Sequence, residues 1–228
     1  MPISIPIPLS AGGKSEHVGV AGMAGRSDNI EVVIDFPVID ALGVAVIAHP
    51  HPLFGGSLDN KVAQTLSRGL LEHGFIALRP NFRGVGASSG VHDHGVGEID
   101  DLLTVARYAI GRFSATRLIL AGFSFGAYVQ TQVAARAAAE LGLAAERLIL
   151  VGLATGAVSD ARSYSALPVP TDTIVIHGEV DDTIPLANVL DWARPQDLPV
   201  TVAPGCDHFF HRKLHIIRAI INNQWRDR

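Results

Sequence analysis

Short apolar runs alternate with stretches of helical spacing along most of this chain. Ile30 to Phe36 and the wholly apolar Gly43 to Ala48 read as strands, with Pro37 to Leu42 turning between them. Leu58 to His73 carries Val62, Leu66, Leu70 and Leu71 at helical spacing, with Ser57 as expected N-cap and Gly74 as its stop. Phe75 to Leu78 is a strand, Pro80 to Val91 a Gly- and Ser-rich loop, and Glu98 to Phe113 a helix with Ile99, Leu102, Leu103, Ala106 and Ile110 on its apolar side. Arg117 to Ala121 and Arg147 to Leu153 are apolar strands flanking an Ala-rich helix from Ala127 to Leu141. Thr155 to Pro170 reads as a loop of small residues and prolines. Then come a strand at Thr173 to His177, a short helix at Leu186 to Ala193, a strand at Pro199 to Ala203 and a closing helix at His208 to Arg228. The first thirty residues are less patterned: Ile3, Ile5 and Ile7 alternate with Ser and Pro, as in an extended arm or edge strand.

Repeated strand–helix units with apolar strands predict an α/β fold, a mainly parallel sheet covered by helices on both faces. No repeat or long linker interrupts the pattern, so residues 1–228 are expected to form one domain. Such sheets place their sites at the carboxyl ends of the strands.

Composition narrows the possibilities. The chain has 228 residues, 48% of them hydrophobic, and a formal net charge of −4. That balance suits a globular domain and offers no electrostatic footprint for nucleic acid. One cysteine, Cys206, excludes an internal disulfide and a thiolate zinc site. No run approaches a membrane span, and the N-terminus lacks a signal-peptide pattern, so the cytoplasm is the expected location. The pattern sets no oligomeric state.

The candidate chemistry centres on Gly122-Phe-Ser-Phe-Gly126, between a strand and a helix. A sharp turn there would lift the Ser124 hydroxyl above the sheet, and the helix start would offer free N–H groups where negative charge develops. A serine nucleophile needs a general base. Ten histidines are available, but His208 stands directly after the last strand. The base needs a carboxylate to orient it. Asp181 and Asp182, with Glu179 nearby, follow the preceding strand. Oxyanion donors would be the N–H of Phe125 and one from His49-Pro-His-Pro-Leu-Phe-Gly-Gly56, where the prolines leave His51 or Leu53. Phe54, Leu58, Phe125 and the 155–170 loop are the expected substrate walls, and Arg83, Glu98 and Asp101 a polar brace behind them.

Together these residues resemble the α/β-hydrolase fold family over about residues 30 to 225. The 122–126 segment resembles its nucleophile elbow. His177-Gly-Glu-Val-Asp181 is similar to its His-Gly-x-x-Asp acid loop, which selects Asp181. Gly205-Cys-Asp-His208 is similar to its base loop, and Arg83-Gly-Val-Gly-Ala-Ser88 to a structural loop beside the site. The His-Pro-His-Pro segment most resembles a small bacterial subgroup of hydrolases. The resemblance implies a serine esterase with a Ser124–His208–Asp181 triad, a small-molecule ester substrate and no cofactor. The chain departs from the family in one respect: where a cap is often inserted, after the strand at 147–153, it has only the 155–170 loop, so no cap domain is expected over the site. The rival classes are a metal hydrolase using His49, His51, His92, His94 or the 208, 211, 215 series, and a binding protein on a hydrolase fold. No His-Glu-x-x-His pattern supports the first, and a complete set of Ser, His and Asp argues against the second.

Overall fold

A computed structural model of the chain describes residues 14–22, 29–159 and 162–225. The expected arm at Ile3, Ile5 and Ile7 lies outside the described residues. In chain order the elements are β1 (Ser15–Val20), β2 (Ile30–Asp35), β3 (Gly43–Ala48), α1 (Lys61–Glu72), β4 (Phe75–Pro80), α2 (Val96–Phe113), β5 (Leu118–Phe123), α3 (Phe125–Leu141) and β6 (Arg147–Val151). They continue as β7 (Gly156–Ser159), β8 (Arg162–Tyr164), β9 (Ile174–Gly178), α4 (Leu186–Ala193), β10 (Val200–Ala203) and α5 (Leu214–Gln224).

Among the described residues eight strands form one sheet in the order β1-β2-β4-β3-β5-β6-β9-β10. β1 and β2 pair antiparallel, as do β2 and β4, and the remaining pairs are parallel. The apolar runs have no polar face because both faces are covered. On β3, Ala45 and Ile47 join one core with Val62, Leu66 and Leu70 of α1 and Ile217 and Ile221 of α5. Val44, Val46 and Ala48 point the other way, into the core with Leu102 of α2, Val129 and Val133 of α3 and Val189 of α4. The period of two splits each strand between the two layers.

Three departures from the sequence pattern have local causes. α1 starts at Lys61, and its cap is Asn60, whose Oδ1 accepts the N–H groups of Val62 and Ala63 at 2.9 and 3.3 Å. Ser57 is used instead for a turn, taking the Asp59 N–H on its Oγ and the Asn60 N–H on its carbonyl. Leu58 is tied to the end of β4, donating its N–H to Asn81 Oδ1 and accepting from Arg79. α5 starts at Leu214, not His208, because Phe210 and Arg212 have φ of 53° and 59°, incompatible with a helix. His211 therefore lies outside α5 and shares no helix face with His215. The 155–170 stretch is not merely a loop: β7 and β8 form an antiparallel hairpin with a register shift at Ala157/Ser159. Its small, polar residues carry no apolar alternation to reveal it.

Replacing Asn60 by Ala removes the α1 cap and should cost about 1 kcal/mol of stability. Urea unfolding of Asn60→Ala beside wild type checks this, and unchanged stability would show that the cap is dispensable.

Candidate active site

The elbow is built by steric exclusion. Ser124, between β5 and α3, has φ 56° and ψ −121°, a strained region for any residue with a side chain. A Cβ on Gly122 would lie 2.5 Å from the carbonyl oxygen of Gly126. One on Gly126 would lie 2.4 Å from the His49 carbonyl oxygen and 2.5 Å from that of Ala48. Both glycines are thus required by close backbone approach. Hydrogen bonds hold the turn: the Ser124 N–H donates to Val151 O at 2.9 Å, and its carbonyl accepts from Ala127, Tyr128 and Ala154.

The loop after β10 brings His208 to this serine. Its buried ring has Nε2 3.0 Å from Ser124 Oγ and Nδ1 2.7 Å from Asp181 Oδ2. With Nδ1–H donating to the carboxylate, Nε2 is free to accept the serine hydroxyl proton. The other Asp181 oxygen, Oδ1, accepts the N–H groups of Thr183 and Ile184 at 2.9 and 2.7 Å. Burial alone would raise the Asp181 carboxyl, but the His208 bond and the Ile184 N–H outweigh it and hold the group below the ordinary range. Asp182 is exposed and accepts only the Thr183 hydroxyl, at 3.3 Å. Glu179 braces the loop that carries His208 by accepting the Gly205 N–H at 2.7 Å. His177, at the end of β9, lies beneath the acid loop with Nε2 donating to Ile184 O at 3.0 Å.

The opposite wall is the 49–56 loop. His49 is buried, its Nε2 accepting the Phe82 N–H at 2.9 Å while its Nδ1 donates to Pro50 O at 2.6 Å. Only the neutral ring can do both, and burial pushes its pKa down to about 4. His51 also falls to about 4, through burial and then the repulsion of His92 and Arg162. The Leu53 N–H donates to His51 Nδ1 at 3.3 Å and is thereby engaged. The amides of His51 and Phe125 have no acceptor among the described residues.

Between these walls lies a cleft of about 270 Å³, lined by Ser124, His208, His51, Phe54, Asn60, Arg162, Thr183 and Phe209. Phe54 is where the sequence placed it. Leu58 is not: it is 4% exposed and does not line the cleft. Phe125 is buried too, its ring packed against His51 rather than forming an open wall. The 155–170 stretch does reach the cleft, through Arg162, whose guanidinium sits 4.4 Å over the Phe54 ring, although the sequence did not single that residue out; Phe209, next to His208, was not expected. Adjacency to His208 was the available signal for Phe209. Arg162 had none beyond its charge in a stretch of small residues. The brace is only partly as expected: Arg83 forks onto Asp101 at 2.8 and 2.9 Å, whereas Glu98 accepts the N–H groups of Asp93 and Gly95. A crevice of about 310 Å³ over β1 and α1, at Asp35 and Arg79, contains none of the expected site residues. Among the described residues no group of three or more His, Cys, Asp or Glu is arranged to hold a metal ion, and no helix is long and apolar enough to cross a membrane.

A mainly parallel sheet with a strained serine at the end of a central strand, and no cap domain above it, defines a lidless α/β hydrolase. Comparison with known proteins agrees. The model of the family described as X-Pro dipeptidyl-peptidase (S15 family) matches residues 25–166. An α/β serine hydrolase without lid from Xanthomonas campestris is 34% identical, with 92% of this chain and 93% of that one covered and a TM-score of 0.78. An α/β serine hydrolase homologue from Coxiella burnetii is 35% identical, covering 91% and 96%, with a TM-score of 0.77. An uncharacterized protein of Rickettsia prowazekii is 28% identical over 188 residues, 79% of this chain and 77% of that protein. The chain belongs to the S15 family, within the α/β serine hydrolases, and is a hydrolase.

The depressed His49 pKa has a measurable consequence. Between its ordinary value of 6.5 and about 4, the unfolded chain binds a proton that the native ring refuses. Stability is therefore full above the upper value and falls as pH drops through this window, by about 3 kcal/mol for a group so displaced. His177, also lowered by burial, acts in the same direction. Urea unfolding across this range should show the decline, and His49→Gln should make it shallower, leaving the share of His51 and His177. An equally steep decline in the variant would assign it to other groups.

Proposed function

We propose that the protein hydrolyses carboxylic esters through an acyl-enzyme on Ser124. The observation that carries the reading is the unbroken hydrogen-bonded line from Ser124 Oγ through His208 to Asp181. His208 Nε2 takes the hydroxyl proton as Oγ attacks the ester carbonyl. The C–O bond to the alcohol breaks, and His208 returns the proton to the departing oxygen. Water then gives a proton to Nε2 and attacks the acyl-serine; the bond from the acyl carbon to Oγ breaks, His208 returns that proton to Ser124 Oγ, and the acid leaves. Asp181 fixes the imidazole tautomer and stabilises the imidazolium. The N–H groups of Phe125 and His51, both without another acceptor, would receive the oxyanion, and Leu53 is the weaker candidate because its N–H is engaged. Phe54 and Phe209 supply apolar wall for a small-molecule ester.

The family description favours a second reading, removal of dipeptides from peptide N-termini. Such a substrate brings a free ammonium that needs a carboxylate beside the scissile bond. The described residues lining the cleft include no Asp or Glu, and their cation is Arg162. That charge balance opposes an amino terminus and supports ester over peptide.

Ser124→Ala should lower kcat on an aryl ester by about a thousandfold or more with the fold intact by circular dichroism. Near-normal turnover would exclude the mechanism. Asp181→Asn should lose about as much, and Asp182→Asn little. The reverse order would reassign the acid. Faster cleavage of an Xaa-Pro anilide than of any ester in a panel would favour the peptidase reading.

A further inference from the structure

A second pocket, of about 140 Å³, adjoins the cleft. It shares His51 and Arg162 with it but includes neither Ser124 nor His208. Its remaining lining comes from His92, His94, Phe125, Tyr128, Ser163 and Tyr164. Nearly all of its polar groups can donate hydrogen bonds. His51 Nδ1 is occupied by the Leu53 N–H, so its ring proton sits on Nε2. Tyr128 and Tyr164 keep their hydroxyl protons, both held above the ordinary range by burial first of all. Arg162 lies over Phe54 and reaches Ser159 Oγ at 3.4 Å, and among the described residues no carboxylate pairs with it.

Among the described residues, the acids of the neighbouring 93–98 stretch are turned to other uses. Glu98, fully buried, accepts two backbone N–H groups and lies 2.8 Å from His92 Nδ1. Asp93 accepts the Gly97 N–H and stands 3.8 Å from Arg83. Donors surrounding a guanidinium that, among the described residues, hydrogen-bonds the Tyr164 hydroxyl but pairs with no carboxylate are what an acceptor-only carboxylate requires. A single Arg fork matches one carboxylate, whereas a doubly charged phosphate calls for more cations.

We propose that this pocket is a subsite for a carboxylate carried on the acyl half of the substrate, with Arg162 as its charged partner and His51 Nε2–H and the Tyr164 hydroxyl as neutral donors. The side assignment rests on the esterase reading. His208 must reach the departing oxygen, so the alcohol half lies towards Thr183 and Phe209. The acyl half then extends past Phe125 and His51, whose side chains wall the pocket. The substrates implied are half-esters of dicarboxylic acids.

The test compares para-nitrophenyl esters of ω-carboxyacyl chains of graded length with their ω-carboxamide counterparts, which match in shape and lack the charge. At the best length, kcat/KM for the carboxylate should exceed that for the carboxamide by about tenfold or more, the worth of a charged hydrogen bond. In Arg162→Gln that ratio should fall towards one, and Arg162→Lys should keep part of it. A ratio near one in wild type, or one that Arg162→Gln leaves unchanged, overturns the proposal. If neither series is hydrolysed, the esterase reading fails and the subsite is judged by binding alone. Calorimetric titration with glutarate, which cannot be hydrolysed, should then show tighter binding to wild type than to Arg162→Gln. Equal binding to both would overturn the subsite.

Discussion

The site depends on one backbone contact, the approach of the first turn of α3 to the end of β3. Gly126 lies so close to the His49 and Ala48 carbonyls that a Cβ there would stand 2.4 and 2.5 Å from them. This approach accompanies the strained φ of Ser124 and seats the 49–56 loop opposite the turn. Gln130, fully buried one turn further along α3, reinforces it by donating to Val46 O and Ala121 O at 2.9 and 3.0 Å. Strain of this kind costs on the order of 1–3 kcal/mol and persists only where surrounding bonds over-determine the turn. Here four hydrogen bonds to the Ser124 backbone do so.

Around that contact, environment gives chemically identical side chains different tasks. His49 is buried without a counter-charge, and burial lowers its pKa to about 4; His177 is lowered by burial although its Nε2 lies 3.5 Å from Asp181 Oδ2, and both serve as fixed struts in the hydrogen-bond frame. His208, equally buried, faces a carboxylate on one nitrogen and a hydroxyl on the other. Asp181 and Asp182 are neighbours in sequence, yet two backbone N–H groups and an imidazole converge on the first while the second faces solvent. Burial and partner thus set chemically identical side chains apart.

Much of this was legible in the chain because parallel strands buried on both faces read as unbroken apolar runs, and because Gly-x-Ser-x-Gly is a steric requirement written as sequence. What escaped reading is what depends on tertiary partners. Ser57 and Asn60 are both acceptable caps, and the choice falls to the ties that Asn81 and Arg79 make to Leu58. The same ties bury Leu58 and remove it from the cleft. The β7–β8 pairing has too little apolar alternation to announce itself, so the 155–170 stretch could be expected as a wall without Arg162 being singled out in it. Glu98 was grouped with Arg83 and Asp101 by proximity in sequence, but the turn at Asp93 and Gly95 claims both of its oxygens.

The central claim is that Ser124, activated by His208, is the nucleophile. Its most direct measurement is reaction of the folded protein with a fluorophosphonate, followed by intact-mass and peptide analysis. The account predicts a single adduct on Ser124 that is abolished by prior unfolding. No adduct on the folded protein, or labelling at another residue with Ser124 unmodified, would contradict it.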